Sequence, residues 1–192
     1  MKNLIIILAV LMFGYSNNNF NDFLKENYKG GDREFLITIY NSVNYPKIAR
    51  ENCGIGKLKT RMHLNKDGTI ERIEFLNELG FGLEAETRRV LKLTEGHWLE
   101  SESERVFDFI VAFQIGDRQE IKGDINVTAN MNGMGAYCKT NKELLEEFQK
   151  KLKKEKYKKA NKICDELLKR EPDSEYYNNL STTIKAKLKM NK

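Results

Sequence analysis

The stretch KLKTRMHLNKDGTIERIEF, residues 57–75, decides the fold that the sequence predicts. Its first eight residues alternate between polar and apolar side chains, which is typical of a strand with one solvated and one buried face. The turn-forming residues NKDG follow, and a second alternating segment returns. Ile70 is out of phase with Ile73, which predicts a bulge near Glu71. The stretch therefore predicts an antiparallel β-hairpin.

A helix precedes the hairpin, and a helix and a strand follow it. Pro46 suits the first turn of the preceding helix, where a backbone N–H is not needed. Residues 83–93 carry apolar residues at helical spacing. Residues 105–115 alternate again, with a buried row formed by Phe107, Phe109, Val111, Phe113 and Ile115. This order predicts an α+β domain over residues 44–116, a three-stranded antiparallel sheet covered on one face by two helices.

Two segments beside this domain have weaker patterns. Residues 17–43 form a predicted N-terminal extension with a short helix, a Gly30-Gly31 break and a strand or buried segment at residues 34–40. Residues 117–140 form a predicted linker, although its apolar residues suffice for one short strand.

Residues 141–192 predict three short helices in hairpin order. Thr140 with Glu143 matches a capping box at the first helix, and Pro172 ends the second. Lysines are abundant here, and acidic residues interleave with them, which is typical of solvated helix faces. Because no nucleic-acid-binding motif accompanies the net charge of +5, we expect no nucleic-acid partner.

The first residues predict export. Residues 1–16 combine a basic start with an apolar run from Leu4 to Phe13, which fits a signal peptide better than a membrane span. An Ala-x-Ala cleavage site is missing, so an uncleaved short anchor stays open. We expect a protein of the periplasm or cell envelope, with membrane contact only if this segment is uncleaved.

The side chains most suited to chemistry do not form a recognisable site. Cys53, Cys138 and Cys164 allow either one disulfide and a free thiol, or small buried residues. His63 is predicted on the solvated strand face, and Asp67 in a turn. We therefore predict no catalytic residue, no metal site and no cofactor, and a protein that is not an enzyme.

The domain at about residues 44–115 resembles the TonB carboxy-terminal domain. The features that carry the resemblance are Tyr45-Pro46, Gly56 before a basic and apolar strand, Asp67-Gly68, and a late Trp98 before the last strand. The resemblance implies a periplasmic module that binds proteins, including outer-membrane receptors, and has no catalytic residues. The chain departs from the family in lacking a Pro-rich spacer, which puts a role in energy transduction in doubt.

A second resemblance covers the helical segment at about residues 142–190. The spacing of Tyr157 and Ala160, followed by Pro172 at the helix end, is similar to a tetratricopeptide repeat. About one and a half units are present, fewer than a free-standing array needs. We therefore expect this segment to lean on the first domain or on a partner, unless it is a simple helical hairpin.

The TonB-type resemblance places partner binding at a sheet edge, where an extended peptide adds as a further strand. The predicted edge strand presents four residues outward: Val106, Asp108, Ile110 and Ala112. A basic face of Lys57, Lys59 and Arg61 is the second candidate, for steering acidic partners. The alternatives are a periplasmic adaptor of the tetratricopeptide type, or a small-ligand-binding protein or enzyme.

Overall fold

The computed structural model describes residues 20–116, 121, 124–131 and 138–190. Seven helices lie within these residues: α1 (Phe20–Asn27), α2 (Gly31–Ser42), α3 (Lys47–Glu51), α4 (Leu83–Lys92), α5 (Asn141–Lys153), α6 (Tyr157–Arg170) and α7 (Glu175–Met190). Four strands accompany them: β1 (Gly56–Leu64), β2 (Ile70–Phe75), β3 (Arg105–Ile115) and β4 (Val127–Met131). The α+β class predicted from the sequence is confirmed.

The four strands form one mixed sheet in the order β2-β1-β3-β4. The predicted hairpin is confirmed as β1 and β2, and so is its bulge, because His63 pairs with Arg72 and Leu64 with Ile70, leaving Glu71 between them. The prediction of three antiparallel strands is wrong. β4 adds a fourth strand and runs parallel to β3, with Val111 opposite Val127. A parallel neighbour returns through a crossover connection, so no turn sequence marks the pairing.

Helices α1 to α4 and the inner face of the sheet enclose one apolar core. Phe20 and Phe35 from α1 and α2 pack with Phe107 and Phe109 of β3, at ring distances of 5.4 to 6.5 Å. Residues 34–40, which the sequence predicts as a strand or buried segment, are helical. Phe35 and Ile39 are buried one turn apart on that helix. The predicted extension thus contributes to the core of the sheet domain.

The three C-terminal helices pack against the sheet domain. Lys169 of α6 donates a hydrogen bond from Nζ to the carbonyl of Leu79 at 3.0 Å, and its own carbonyl lies against Gly56. Asp173, just after α6, pairs with Lys59 of β1 at 2.5 Å. The capping box at Thr140 and Glu143 is confirmed. The helical segment therefore leans on the first domain, as its small size predicts.

A disulfide and a buried arginine hold the entry to the helical segment. Cys53, at the end of α3, is bonded to Cys138, just before α5, and Cys164 is a buried free cysteine. Arg170 is 1% exposed and donates hydrogen bonds to the carbonyl of Lys139 and to Oδ1 of Asn141. It also pairs with Glu166. Burial lowers the pKa of Arg170, while Glu166 opposes that shift.

Candidate partner-binding edge

The outward groups of β3 alternate along the strand. Ile110 donates its N–H to Oδ1 of Asn126 at 2.7 Å and accepts a hydrogen bond from the N–H of Asn126 at 3.1 Å. The backbone groups of Ile110 thus point away from β1. Because this direction repeats every second residue, those of Val106, Asp108 and Ala112 point the same way. These are the four residues that the sequence predicts at the edge.

The structure closes the C-terminal half of the predicted edge. Asn126 is hydrogen-bonded to both backbone groups of Ile110, and Ala112 is paired with Thr128 of β4. The prediction that Ile110 and Ala112 are open to a partner is therefore wrong. The segment predicted as a linker folds back and supplies the covering strand.

The N-terminal half of β3 remains an edge in the described part of the chain. No described residue hydrogen-bonds to the outward backbone of Val106 or Asp108. Val106 is 55% exposed, and Glu104 and Asp108 are also exposed. The open stretch is about five residues long, or roughly 17 Å of extended chain. Its length suits the addition of one short strand.

The opposite edge of the sheet is obstructed. On β2, the carbonyl of Ile73 accepts a hydrogen bond from Nη1 of Arg88 at 2.8 Å. The same guanidinium lies over the ring of Phe75, 5.0 Å from its centroid. Since Arg88 already uses the edge of β2, β3 offers the better site for an added strand.

The predicted basic face carries little free charge. Lys57 is 5% exposed, and Lys59 is paired with Asp173. Arg61 donates from Nε and Nη2 to the two carboxylate oxygens of Asp108, at 2.7 and 2.8 Å. The prediction of a solvated basic face is wrong because Lys57 is buried, Lys59 is paired with Asp173 of the C-terminal segment, and Arg61 is paired with Asp108 of β3.

His63 is likewise buried rather than solvated. Its side chain is 11% exposed, and Nε2 is 3.6 Å from Oε1 of Glu74 on β2. That same oxygen accepts a hydrogen bond from Nε of Arg72 at 2.7 Å. The position of His63 is thus structural, beside an ion pair on the outer face of the hairpin.

The residues that carry the TonB-type resemblance hold the domain together. Tyr45 is buried against Phe113, and its hydroxyl donates to the carbonyl of Gly54 at 2.6 Å. Burial raises the pKa of Tyr45. Pro46 immediately precedes α3. These two residues lie at the start of the sheet domain, and the buried Tyr45 is not accessible to a partner.

The hairpin turn is fitted to the backbone at Trp98. Gly68 has φ +81°, and a β-carbon there would lie 2.5 Å from the carbonyl oxygen of Trp98. Asp67 accepts hydrogen bonds from the N–H and hydroxyl of Thr69, which lower the pKa of its carboxyl. Asp67 is therefore a turn residue, as predicted.

Among the described residues, two cavities are lined by apolar groups or by polar groups that are already hydrogen-bonded. A small apolar space of about 10 Å³ lies between α4 and β3, lined in part by Val90 and Phe113. An open depression of about 370 Å³ lies beside Asp67 and Trp98. Its most basic group, Lys29, already donates to the carbonyl of Gly96 at 3.0 Å. Asp67 and Thr69, which also line this depression, bond to each other within the hairpin turn.

Within the described ranges, no three metal-ligating side chains cluster, and no helix has the length and hydropathy that a membrane span requires. Comparison with protein-family models, with curated proteins and with solved structures found no match.

Proposed function

We propose that this chain is an exported, non-enzymatic protein of the cell envelope that binds other proteins by β-strand addition. The observation that carries the proposal is the N-terminal half of β3, where the outward backbone groups of Val106 and Asp108 have no hydrogen-bond partner among the described residues. An extended peptide that pairs there gains main-chain hydrogen bonds without any change in the fold. The resemblance to the TonB carboxy-terminal domain supports the same mode of binding and suggests a role linked to TonB-dependent transport.

Two features support placement in the periplasm. The apolar run at residues 4–13 is typical of a signal peptide. The disulfide between Cys53 and Cys138 suits an oxidising compartment. Both are consistent with outer-membrane receptors or envelope complexes as partners.

A covalent trap at the edge tests the proposal. A photo-crosslinking amino acid in place of the exposed Glu104 reports what lies beside β3 in cells. Val106→Pro removes the outward N–H, while Arg105 before it is already extended, as a residue before proline must be. Val106→Thr is the matched control, because it keeps both the N–H and the β-branched shape.

The proposal predicts a crosslink to an extended segment of an outer-membrane receptor, kept in Val106→Thr and lost in Val106→Pro. Equal crosslinking in both variants would contradict strand addition. A circular dichroism spectrum of each variant confirms that the fold is retained.

A periplasmic adaptor of the tetratricopeptide type is the second candidate. The observation that favours it is the antiparallel stack of α5, α6 and α7, with Ala160 fully buried where the helices pack closely. In that case a crosslinker on the exposed side of α7, at Thr183, captures soluble periplasmic proteins, and Val106→Pro leaves this capture unchanged.

A further inference from the structure

The lysines of the C-terminal segment gather at one end of its three helices. Residues 150–162 contain eight lysines and one glutamate. The end of α7 adds three further lysines, Lys185, Lys187 and Lys189. We call these residues together the lysine pole. The rest of the chain has 22 of the 33 basic residues and 27 of the 28 acidic residues. The pole therefore carries a large positive charge on a chain that is otherwise acidic.

Hairpin topology assembles the pole. α5 ends and α6 begins at residues 153–157, and α7 runs antiparallel to α6, so its C-terminal end returns to the same place. Lys187 of α7 lies over the ring of Tyr157, with Nζ 5.7 Å from the centroid. Thirteen residues of α6, about 20 Å, separate Tyr157 from Arg170, which marks the end near the sheet domain. The fold thus adds the lysines of α7 to the lysine-rich run at residues 150–162.

The lysines of the pole are available to solvent. Two are half-buried: Lys151 pairs with Glu147, and Lys187 covers Tyr157. The other nine are exposed: Lys150, Lys153, Lys154, Lys156, Lys158, Lys159, Lys162, Lys185 and Lys189. Met190, on the same end of α7, is 78% exposed. The surface is basic, and an apolar side chain stands beside it.

Helix stability alone does not account for this placement. Lysines at the C-terminal ends of α5 and α7 complement the helix dipole. The first turn of α6 instead holds Lys158 and Lys159 and no acidic residue, although a helix N-terminus favours negative charge. Cations at this position disfavour the helix, so their clustering points to an anionic partner.

We propose that the lysine pole docks on an anionic phospholipid bilayer. The pole is the tip of a helical hairpin. Such a convex tip can contact the flat surface of a bilayer but does not form a groove that could enclose a nucleic-acid strand. It contains no arginine, the residue suited to bidentate phosphate recognition, and its one aromatic ring is covered by Lys187. Clustered lysines bind anionic leaflets through diffuse attraction. This contact differs from the one predicted from the sequence, an uncleaved N-terminal segment.

Sedimentation of the full chain with vesicles tests the proposal. The probes are phosphatidylcholine vesicles with and without one third phosphatidylglycerol, at low and at high salt. The triple variant Lys158→Glu, Lys159→Glu, Lys162→Glu reverses charge at the pole. The matched control reverses three exposed lysines elsewhere: Lys47→Glu, Lys66→Glu and Lys142→Glu. Both variants have the same net charge.

The proposal predicts binding of the wild type to the anionic vesicles only, and its loss at high salt. The pole variant binds at least about a hundredfold more weakly, and the control variant changes by less than about tenfold. Val106→Pro binds vesicles as the wild type does, which separates this result from strand addition.

Three outcomes would overturn the proposal that the lysine pole binds an anionic bilayer. Equal binding to neutral vesicles would assign the contact to the apolar N-terminal run. Equal losses in both triple variants would assign it to net charge. Binding to single-stranded DNA but not to vesicles would assign the pole to an anionic polymer.

Discussion

The backbone of Gly56 touches the backbone of Lys169. A β-carbon at position 56 would overlap the carbonyl oxygen of Lys169 and would lie 2.7 Å from Cδ2 of Leu79. The first residue of β1 and the last turn of α6 therefore approach so closely that only glycine fits. This contact joins the sheet domain to the helical segment.

Gly56→Ala is expected to destabilise the protein by about 3 kcal/mol, at the upper end of overpacking costs, because backbone atoms cannot move aside as a side chain can. Lys59→Ala, which removes the nearby ion pair with Asp173, is the comparison and is expected to cost at most about 1 kcal/mol. Urea unfolding measures both. Equal costs would show that the close approach does not hold the two parts together.

Reduction of the disulfide is expected to weaken the fold strongly. Cys53 and Cys138 are 85 residues apart. Closing a loop of that length lowers the entropy of the unfolded chain and so raises the free energy of unfolding by about 4 to 5 kcal/mol. Urea unfolding with and without reductant measures the loss. The double variant Cys53→Ser, Cys138→Ser serves as the control, and its free energy of unfolding is expected to be the same with and without reductant. A wild type equally insensitive to reductant would contradict the bond.

The carboxyl of Glu86 is expected to make stability depend on pH. Arg89 lowers the pKa of Glu86, and the N–H of Asn44 assists by donating to Oε1 at 2.6 Å. In the unfolded chain the pKa of this carboxyl is near 4.5, and in the folded protein it is lower. The ionised carboxyl therefore stabilises the fold above about pH 4.5, and this stabilisation is lost as the pH falls through the folded pKa.

Urea unfolding of the wild type and of Glu86→Gln, from about pH 6 to about pH 3, tests this sign. The wild type is expected to be the more stable at the upper end, and the difference is expected to shrink on acidification. A difference that stays constant across the range would contradict a depressed pKa at Glu86.

Local sequence patterns were sufficient for the parts of the fold that depend on neighbours in the chain. The hairpin turn, the bulge at Glu71 and the buried face of α4 each follow from residues a few positions apart. The helix α2 was missed because residues 34–40 are rich in β-branched and aromatic residues, which favour strands. Its packing against β3 overrides that preference.

The candidate site depended on contacts between distant segments, which the sequence does not reveal. The alternation of β3 was enough to find the four outward residues. The outward backbone groups of Ile110 and Ala112 are paired because β4 and the residue before it return beside them. Those of Val106 and Asp108 have no partner among the described residues, because β4 does not extend that far. The lysine-rich run at residues 150–162 is visible in the sequence, but only the antiparallel return of α7 adds Lys185, Lys187 and Lys189 to it.

Strand addition requires the N-terminal half of β3 to be an open edge. Amide hydrogen exchange followed residue by residue by NMR tests it on the free protein. The N–H groups of Val106 and Asp108 are expected to exchange rapidly, while those of Phe107 and Phe109, which face β1, are expected to be protected. Protection of Val106 and Asp108 equal to that of Phe107 and Phe109 would contradict an open edge and the strand addition proposed for it.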